Sequence, residues 1–276
     1  MNRPLLHNHA DMAARLEPRD VGAINWLGVW TLYAKEVHRF LKITLQSIIA
    51  PVVTTLLFLA VFTLAFGDRA VLGGEVSFPR FLAPGLIMMA IVQNSFANSA
   101  SSILISKIQG NIVDLMMPPL GPGELSFCFA ASGATRGLLC GAAVAVGMAF
   151  FVDNSVTHIW PILFYGITAG LFLSQIGLLV GIWADKFDHM ATITNFIITP
   201  LAFLSGTFYS IDRLPEPWYG LSQINPFFYM IDGFRYAFID RADGSLAIGV
   251  GIMIALNAII WTINYLVLRN GWKLKS

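Results

Sequence analysis

An all-α, polytopic membrane protein is the fold class this sequence predicts, and three observations carry the prediction. Hydrophobic residues make up 56% of the 276 residues and charged residues only 12%, against about 25% charged in soluble domains. Six apolar runs follow one another at about 44–66, 82–105, 127–151, 159–182, 193–211 and 246–268, each near the roughly twenty residues a helix needs to cross a bilayer. All sixteen acidic residues fall outside those runs, as the cost of a charge in hydrocarbon requires. A formal charge of +1 gives no reason to expect nucleic-acid binding.

Residues 1–21 read as a loose polar tail in which His7 and His9 are solvated. Residues 1–43 lack the short apolar core of a cleavable signal and carry Arg15, Glu17, Arg19 and Asp20 instead. From Asn25 the pattern changes: Trp26, Trp30, Tyr33, Val37 and Phe40 recur at helical spacing, with Lys35, Glu36, Arg39 and Lys42 off that face. The spacing predicts an amphipathic helix lying along the membrane surface. It serves either as an anchor or as an anchor that also contacts a partner. The chain therefore divides into 1–43 (tail and surface helix), 44–268 (six-helix membrane domain) and 269–276 (a second tail).

The first span carries Pro51, tolerable where neighbouring helices satisfy the freed backbone. The second has a polar stripe, Gln93, Asn94, Asn98, Ser101 and Ser102, suited either to helix packing or to a substrate path. The connection SKIQGNIVDLMMPPLGPGELSF predicts a short helix over 106–117, stopped by Pro118-Pro119 and turned back at Gly121-Pro122-Gly123. That order fits either plain topology or a knob for a partner's groove. Arg136 is the one charge inside a span, placed for snorkelling toward headgroups. Cys128 and Cys140 form no CxxC pair and read as packing residues, and Asp185, Asp188 and His189 as a solvated turn.

The stretch 193–240 begins as a span, breaks at Asp212, Arg213, Pro215 and Pro217, and resumes after Asn225-Pro226 as an aromatic helix too short to cross a bilayer. Lysines and arginines decide its side. With the N-terminus inside, inner segments carry eleven and outer segments five (Arg69, Arg80, Arg213, Arg235 and Arg241). Both termini are expected in the cytoplasm and the half-length helix on the outer face.

No HExxH, GxSxG or zinc spacing occurs, so no catalytic or metal-ligating residue is nominated. None of the six lysines follows a glycine, so the GxxxxGK[ST] loop for ATP phosphates is absent. A self-sufficient channel or carrier predicts an intramembrane acid or an internal repeat, and neither is found. For a membrane-embedded lipid-modifying enzyme, His158, Asp153 and Arg235 form no recognised motif.

The segment LPEPWYGLSQINPFFYMIDGFRYAF, with Pro215, Pro217, Asn225-Pro226 and Arg235, resembles the permease subunits of ABC type-2 exporters, as does the loop LMMPPLGPGEL. The resemblance covers roughly 20–270 and is nearest to the bacterial inner-membrane branch. It implies a half-transporter that pairs with a second copy, binds a separate cytoplasmic P-loop ATPase holding ATP and Mg, and exports a lipid-linked, glycan or amphipathic substrate. It further implies a coupling helix meeting the ATPase through Lys107, Gln109, Asn111, Asp114, Leu115 and Met116. Trp26, Trp30, Lys35, Glu36 and Arg39 would form an interface helix touching the same ATPase and membrane lipids. Gln93, Asn94, Asn98, Ser101 and Ser102 are the expected path residues, and Asn225, Pro226 and Arg235 belong to an outer re-entrant cap.

Overall fold

The computed structural model describes residues 22, 24–66, 70–71, 76–153, 155–211 and 214–273, with the backbone alone at Ala70, Val71, Leu115 and Met116. The tail with His7 and His9, Arg69, Asp212, Arg213 and Lys275 lie outside the described residues. Helix α1 (Trp26–Leu41) is followed by a π-turn, Leu45–Ile49, that runs into α2 (Ala50–Phe66). A minimal antiparallel ribbon, β1 (Ala70–Val71) with β2 (Val76–Ser77), precedes α3 (Phe78–Ile108). Then come α4 (Ile112–Met116), α5 (Pro122–Met148), α6 (Ile159–Trp183) and α7 (Phe187–Ile193). A second π-turn, Thr194–Ile198, leads to α8 (Thr199–Leu204), and α9 (Trp218–Ile224), α10 (Pro226–Ile239) and α11 (Leu246–Asn270) complete the chain.

Among the described residues, five helices are long and apolar enough to cross a membrane: Leu45–Phe66, Phe78–Ile108, Pro122–Met148, Ile159–Trp183 and Leu246–Asn270. The run expected at 193–211 is helical earlier than that, from Phe187 to Leu204. It stops where Gly206 adopts a φ of +79°, a backbone state that glycine takes without strain.

Helix α3 is the hub of the bundle, buried along almost its whole length from Phe78 to Leu104. It meets α5 and α6 through small residues, which let helix backbones approach where lipid supplies no hydrophobic drive. Ser99 and Ser174 share a 2.5 Å hydrogen bond in which one hydroxyl donates to the other, and the accepting hydroxyl donates to the Phe129 carbonyl, which lies 3.0–3.1 Å from both. At Gly181 an added Cβ would stand 2.8 Å from the Ala100 carbonyl oxygen. The prolines are absorbed locally. Pro51 lacks an N–H, which frees the Ser47 carbonyl four residues earlier; the buried Cys140 thiol donates to it at 3.0 Å. Pro200, by its place just after the second π-turn, repeats the arrangement.

The predicted helix over 106–117 is corrected. Helix α3 continues to Ile108, Gly110 turns the chain at φ +73°, and only Ile112–Met116 forms a separate helix. One end of the bundle gathers α1, the 109–121 loop, the α6–α7 turn and the chain after α11. Lys107 and Lys273 both bond Asp185, which ties the end of α3 and the chain after α11 to the α6–α7 turn. The opposite end gathers 149–153, 155–158, 205–211, 214–217, α9 and α10, where Arg80 reaches Ser155 and Thr157 reaches Ala237.

Candidate functional site

At the first end, Asn25 caps α1 by accepting the Gly28 N–H at 2.9 Å. Its own N–H donates to Glu124 Oε1 at 2.6 Å, while Glu124 Oε2 accepts the Gly121 N–H at 2.6 Å. Gly121 has no side chain to complete a capping box, so the glutamate supplies the whole device. One carboxylate therefore joins the start of α1 to the loop that opens α5. Sequence reasoning passed over Glu124; its signal was a glutamate three residues past a Gly-Pro turn.

The face of α1 is also corrected. Helix α1 buries Val29, Leu32, Glu36 and Phe40 against the bundle, while Trp26 and Trp30 stay 69% and 65% exposed. Glu36, expected beside the lysines on the polar side, is 2% exposed. Its Oε2 accepts the Ser102 hydroxyl at 2.7 Å and Arg39 Nε at 3.0 Å. Arg39 Nη2 in turn donates to both the backbone and side-chain oxygens of Asn98, each at 3.0 Å. A buried carboxylate persists only when paired and hydrogen-bonded in this way.

Of the expected coupling residues, Lys107 is turned inward. Its Nζ donates to the Ile182 and Ala184 carbonyls at 2.9 and 2.7 Å and to Asp185 at 2.9 Å. It thus caps the C-terminus of α6, where a cation complements the helix dipole. Those bonds from Lys107, helped by Lys273, hold the Asp185 carboxyl below its ordinary pKa. Gln109, Asn111 and Asp114 are exposed; the side chains of Leu115 and Met116 lie outside the described residues. Between α1 and this loop lies a notch of about 400 Å³, walled by Leu27, Leu32, Pro118 and Leu120 with Lys35 and Asp114 also lining it.

The polar stripe on α3 divides. Asn98 and Ser102 are buried under α1 by the bonds just described, and Ser101 donates to the Asn98 carbonyl. Gln93 and Asn94 line a cleft of about 460 Å³ between α2, α3 and the second π-turn. Gln46, Thr54, Thr194 and Asn195 face them, Pro51 and Phe58 supply apolar wall, and among the described lining residues none is charged. Both π-turns contribute to this cleft, and such widened turns recur at functional sites. Arg136 is not among its lining residues.

At the opposite end, Asn225 joins α9 to α10. Its Oδ1 caps the Phe227 N–H at 3.1 Å and its Nδ2 donates to the Leu201 carbonyl at 2.7 Å, with Pro226 opening the helix after it. Arg235 is 3% exposed, donates to the Gly206 carbonyl at 2.6 Å, and lies 3.9 Å above the Phe81 ring. Helix α10 thereby holds the end of α8 and the start of α3 together. Asp232, unmarked in the sequence, accepts the Asp243 and Gly244 N–H groups at 2.8 and 2.9 Å. Asp243 accepts the Ser210 hydroxyl at 2.8 Å, which closes the 205–211 segment onto the turn before α11. His158 bonds Asp240 at 2.9 Å and stacks on Tyr236.

The sequence model of the ABC-2 type transporter family matches residues 28–239. The chain is 37% identical over 253 residues to the inner membrane transport permease YadH of Escherichia coli K12, covering 91% of this chain and 98% of the relative. It is 25% identical over 239 residues to nodulation protein J of Rhizobium leguminosarum bv. viciae, covering 84% and 89%. Against nodulation protein J of Sinorhizobium fredii the identity is 26% over 238 residues, covering 83% and 87%.

Proposed function

The chain belongs to the ABC-2 type transporter family, a multi-pass inner-membrane transport permease, and from that premise we propose that it is the path-forming half of an ATP-driven exporter. Two copies form the path, and each seats one separately encoded P-loop ATPase at the end that carries α1 and the 109–121 loop. ATP and Mg bind the ATPase, since this chain has no GxxxxGK[ST] loop. That end and both termini face the cytoplasm, in line with the eleven-to-five excess of basic residues.

The observation that carries the reading is the Glu124 clamp. It makes α1 and the coupling loop one body, with an exposed Asp114 and an apolar notch at its surface. The notch is where we place the ATPase contact, with Trp26 and Trp30 directed to membrane lipid. Closure of paired ATPases on ATP then moves that body, and the bundle shifts between two packings. The second copy is supported by the first π-turn and α2, whose Leu45, Ile49, Val53, Leu57, Val61 and Leu64 are exposed along one continuous segment that also walls the cleft. The cleft's uncharged amides and hydroxyls beside apolar wall suit a lipid-linked, glycan or amphipathic substrate. Helices α9 and α10 cap the exit, with Asn225, Pro226 and Arg235 holding the cap in place.

The test is to co-purify the chain with its ATPase and to replace Asp114 and Leu115 by alanine. Association and stimulated ATP hydrolysis are expected to fall about tenfold. Unchanged values for both would remove the coupling assignment.

A further inference from the structure

Two groups of residues that the sequence assigns to different roles meet in the structure. Glu36 and Arg39 belong to α1, and Asn98 and Ser102 to the polar stripe of α3. Their hydrogen bonds are the ones that join α1 to α3 among the described residues. The other polar contacts of α1 with the spans go to α5: Tyr33 with Thr135 at 2.9 Å, and the Cys128 thiol with the Val29 carbonyl at 3.4 Å. On α3, Ala97 lines the cleft while the next residue, Asn98, is held by Arg39. Asn94, one turn earlier, lines the same cleft.

We propose that Arg39 is a positioning residue that transmits the ATPase-driven movement of α1 to the cleft wall, through its two-point grip on Asn98. The proposal rests on the exporter reading above. Its first support is the chemistry of the contact. An ion pair with one member buried, as here with Glu36 2% and Arg39 27% exposed, is no more stabilising than well-packed apolar side chains of the same volume. What it adds is direction, because a guanidinium that holds the backbone and side-chain oxygens of one residue fixes register as well as distance. Apolar packing at this locus lets α1 slide over α3; the Arg39 grip does not. The second support is that α1 and the coupling loop already act as one body through Glu124. A push on the notch therefore arrives at Asn98 instead of being lost in a flexible joint. The third is an unmade bond. Asn98 Nδ2 is buried without a partner in this state, and so is the Ser95 hydroxyl one turn away. The buried amide has a donor left to satisfy in a second arrangement of the same helices, as a two-state element requires.

The experiment uses the full chain co-purified with its ATPase in lipid nanodiscs, carrying Ala97→Cys as a reporter on the cleft wall. The native cysteines are both buried. The rate of alkylation by a soluble maleimide is measured without nucleotide and after trapping with ATP, Mg²⁺ and vanadate. In the parent complex trapping is expected to change the rate at least fivefold. Arg39 is expected from the resemblance to touch the ATPase, but its guanidinium bonds Glu36 and Asn98 and it does not line the notch. Arg39→Gln is therefore expected to keep ATPase association within about twofold and to lose that response. Arg39→Lys retains the charge but not the planar guanidinium that holds Glu36 through Nε and Asn98 through Nη2, and is expected to lose most of the response. Asn98→Ala removes the bond from the α3 side and is expected to match Arg39→Gln, with the double variant no worse than either alone. It decides the matter if Arg39→Gln does not fold. A variant response equal to the parent's overturns the proposal and leaves the exporter reading intact, as does a parent complex that binds ATPase but shows no response. Loss of ATPase association in Arg39→Gln equal to the loss of response makes Arg39 a docking residue and also overturns the proposal. A parent chain that binds no ATPase removes the exporter reading and the proposal together.

Discussion

Glu124→Gln isolates the joint between α1 and the 109–121 loop. The carboxylate accepts two backbone N–H groups, from Asn25 and Gly121, each at 2.6 Å. A hydrogen bond to a charged group contributes about 1.5–3 kcal/mol, and a neutral one about 0.5–1.5 kcal/mol. Glutamine keeps one acceptor oxygen and turns an NH2 group toward the second N–H. One charged bond is thus lost and the other becomes neutral. Because Glu124 is half-buried and water recovers part of the difference, the net local cost is about 1–2 kcal/mol. At about 1.4 kcal/mol per tenfold, hydrogen exchange at Asn25 and Gly121 should quicken about five- to thirty-fold, measured by mass spectrometry on peptides spanning 24–30 and 119–124. The interior of α5 should exchange as before. Unchanged exchange at both amides, or acceleration spread evenly through α5, would refute the clamp.

Three further outcomes test other parts of the structure. Asn225→Ala removes both the cap on α10 and the bond to Leu201. It should cost about 1–2 kcal/mol in thermal stability followed by gel filtration, with Asn225→Asp losing less because it keeps the cap. Gly181→Ala puts a methyl 2.8 Å from the Ala100 carbonyl oxygen and should cost about 1–3 kcal/mol by overpacking. Gly251→Ala, where a Cβ meets nothing within 4 Å, should be neutral or better. Finally, Asp185 is held below its ordinary pKa by Lys107 and Lys273, so its contribution is present above the unfolded carboxyl value and is lost as pH falls through the folded one. Proteolysis of the C-terminal segment should therefore quicken below about pH 4. Asp185→Asn should show the fast rate throughout.

What the sequence alone determined follows from solvent. Lipid tolerates long apolar helices and little else, so composition and run length were enough for the all-α membrane class and for α2, α3, α5, α6 and α11 as candidate spans, and helical spacing for a helix from Trp26. Asn225-Pro226 was legible as a helix start because proline suits a first turn, whereas Gly121-Pro122-Gly123, which reads as a turn, opens α5 at Pro122. Periodicity did not reveal which face of a helix turns inward when that face is polar. Glu36 has the pattern of a solvated residue, yet it is buried because Arg39 and Ser102 arrive from two directions to pair it. Lys107 has the pattern of a docking residue, yet it caps α6 because the Ile182 and Ala184 carbonyls, 75 and 77 residues away, come within reach. The stripe from Gln93 to Ser102 reads as one feature in sequence and becomes two in space, since α1 covers its later half and leaves the first half to the cleft. Those assignments depend on partners distant along the chain, which only tertiary packing brings together.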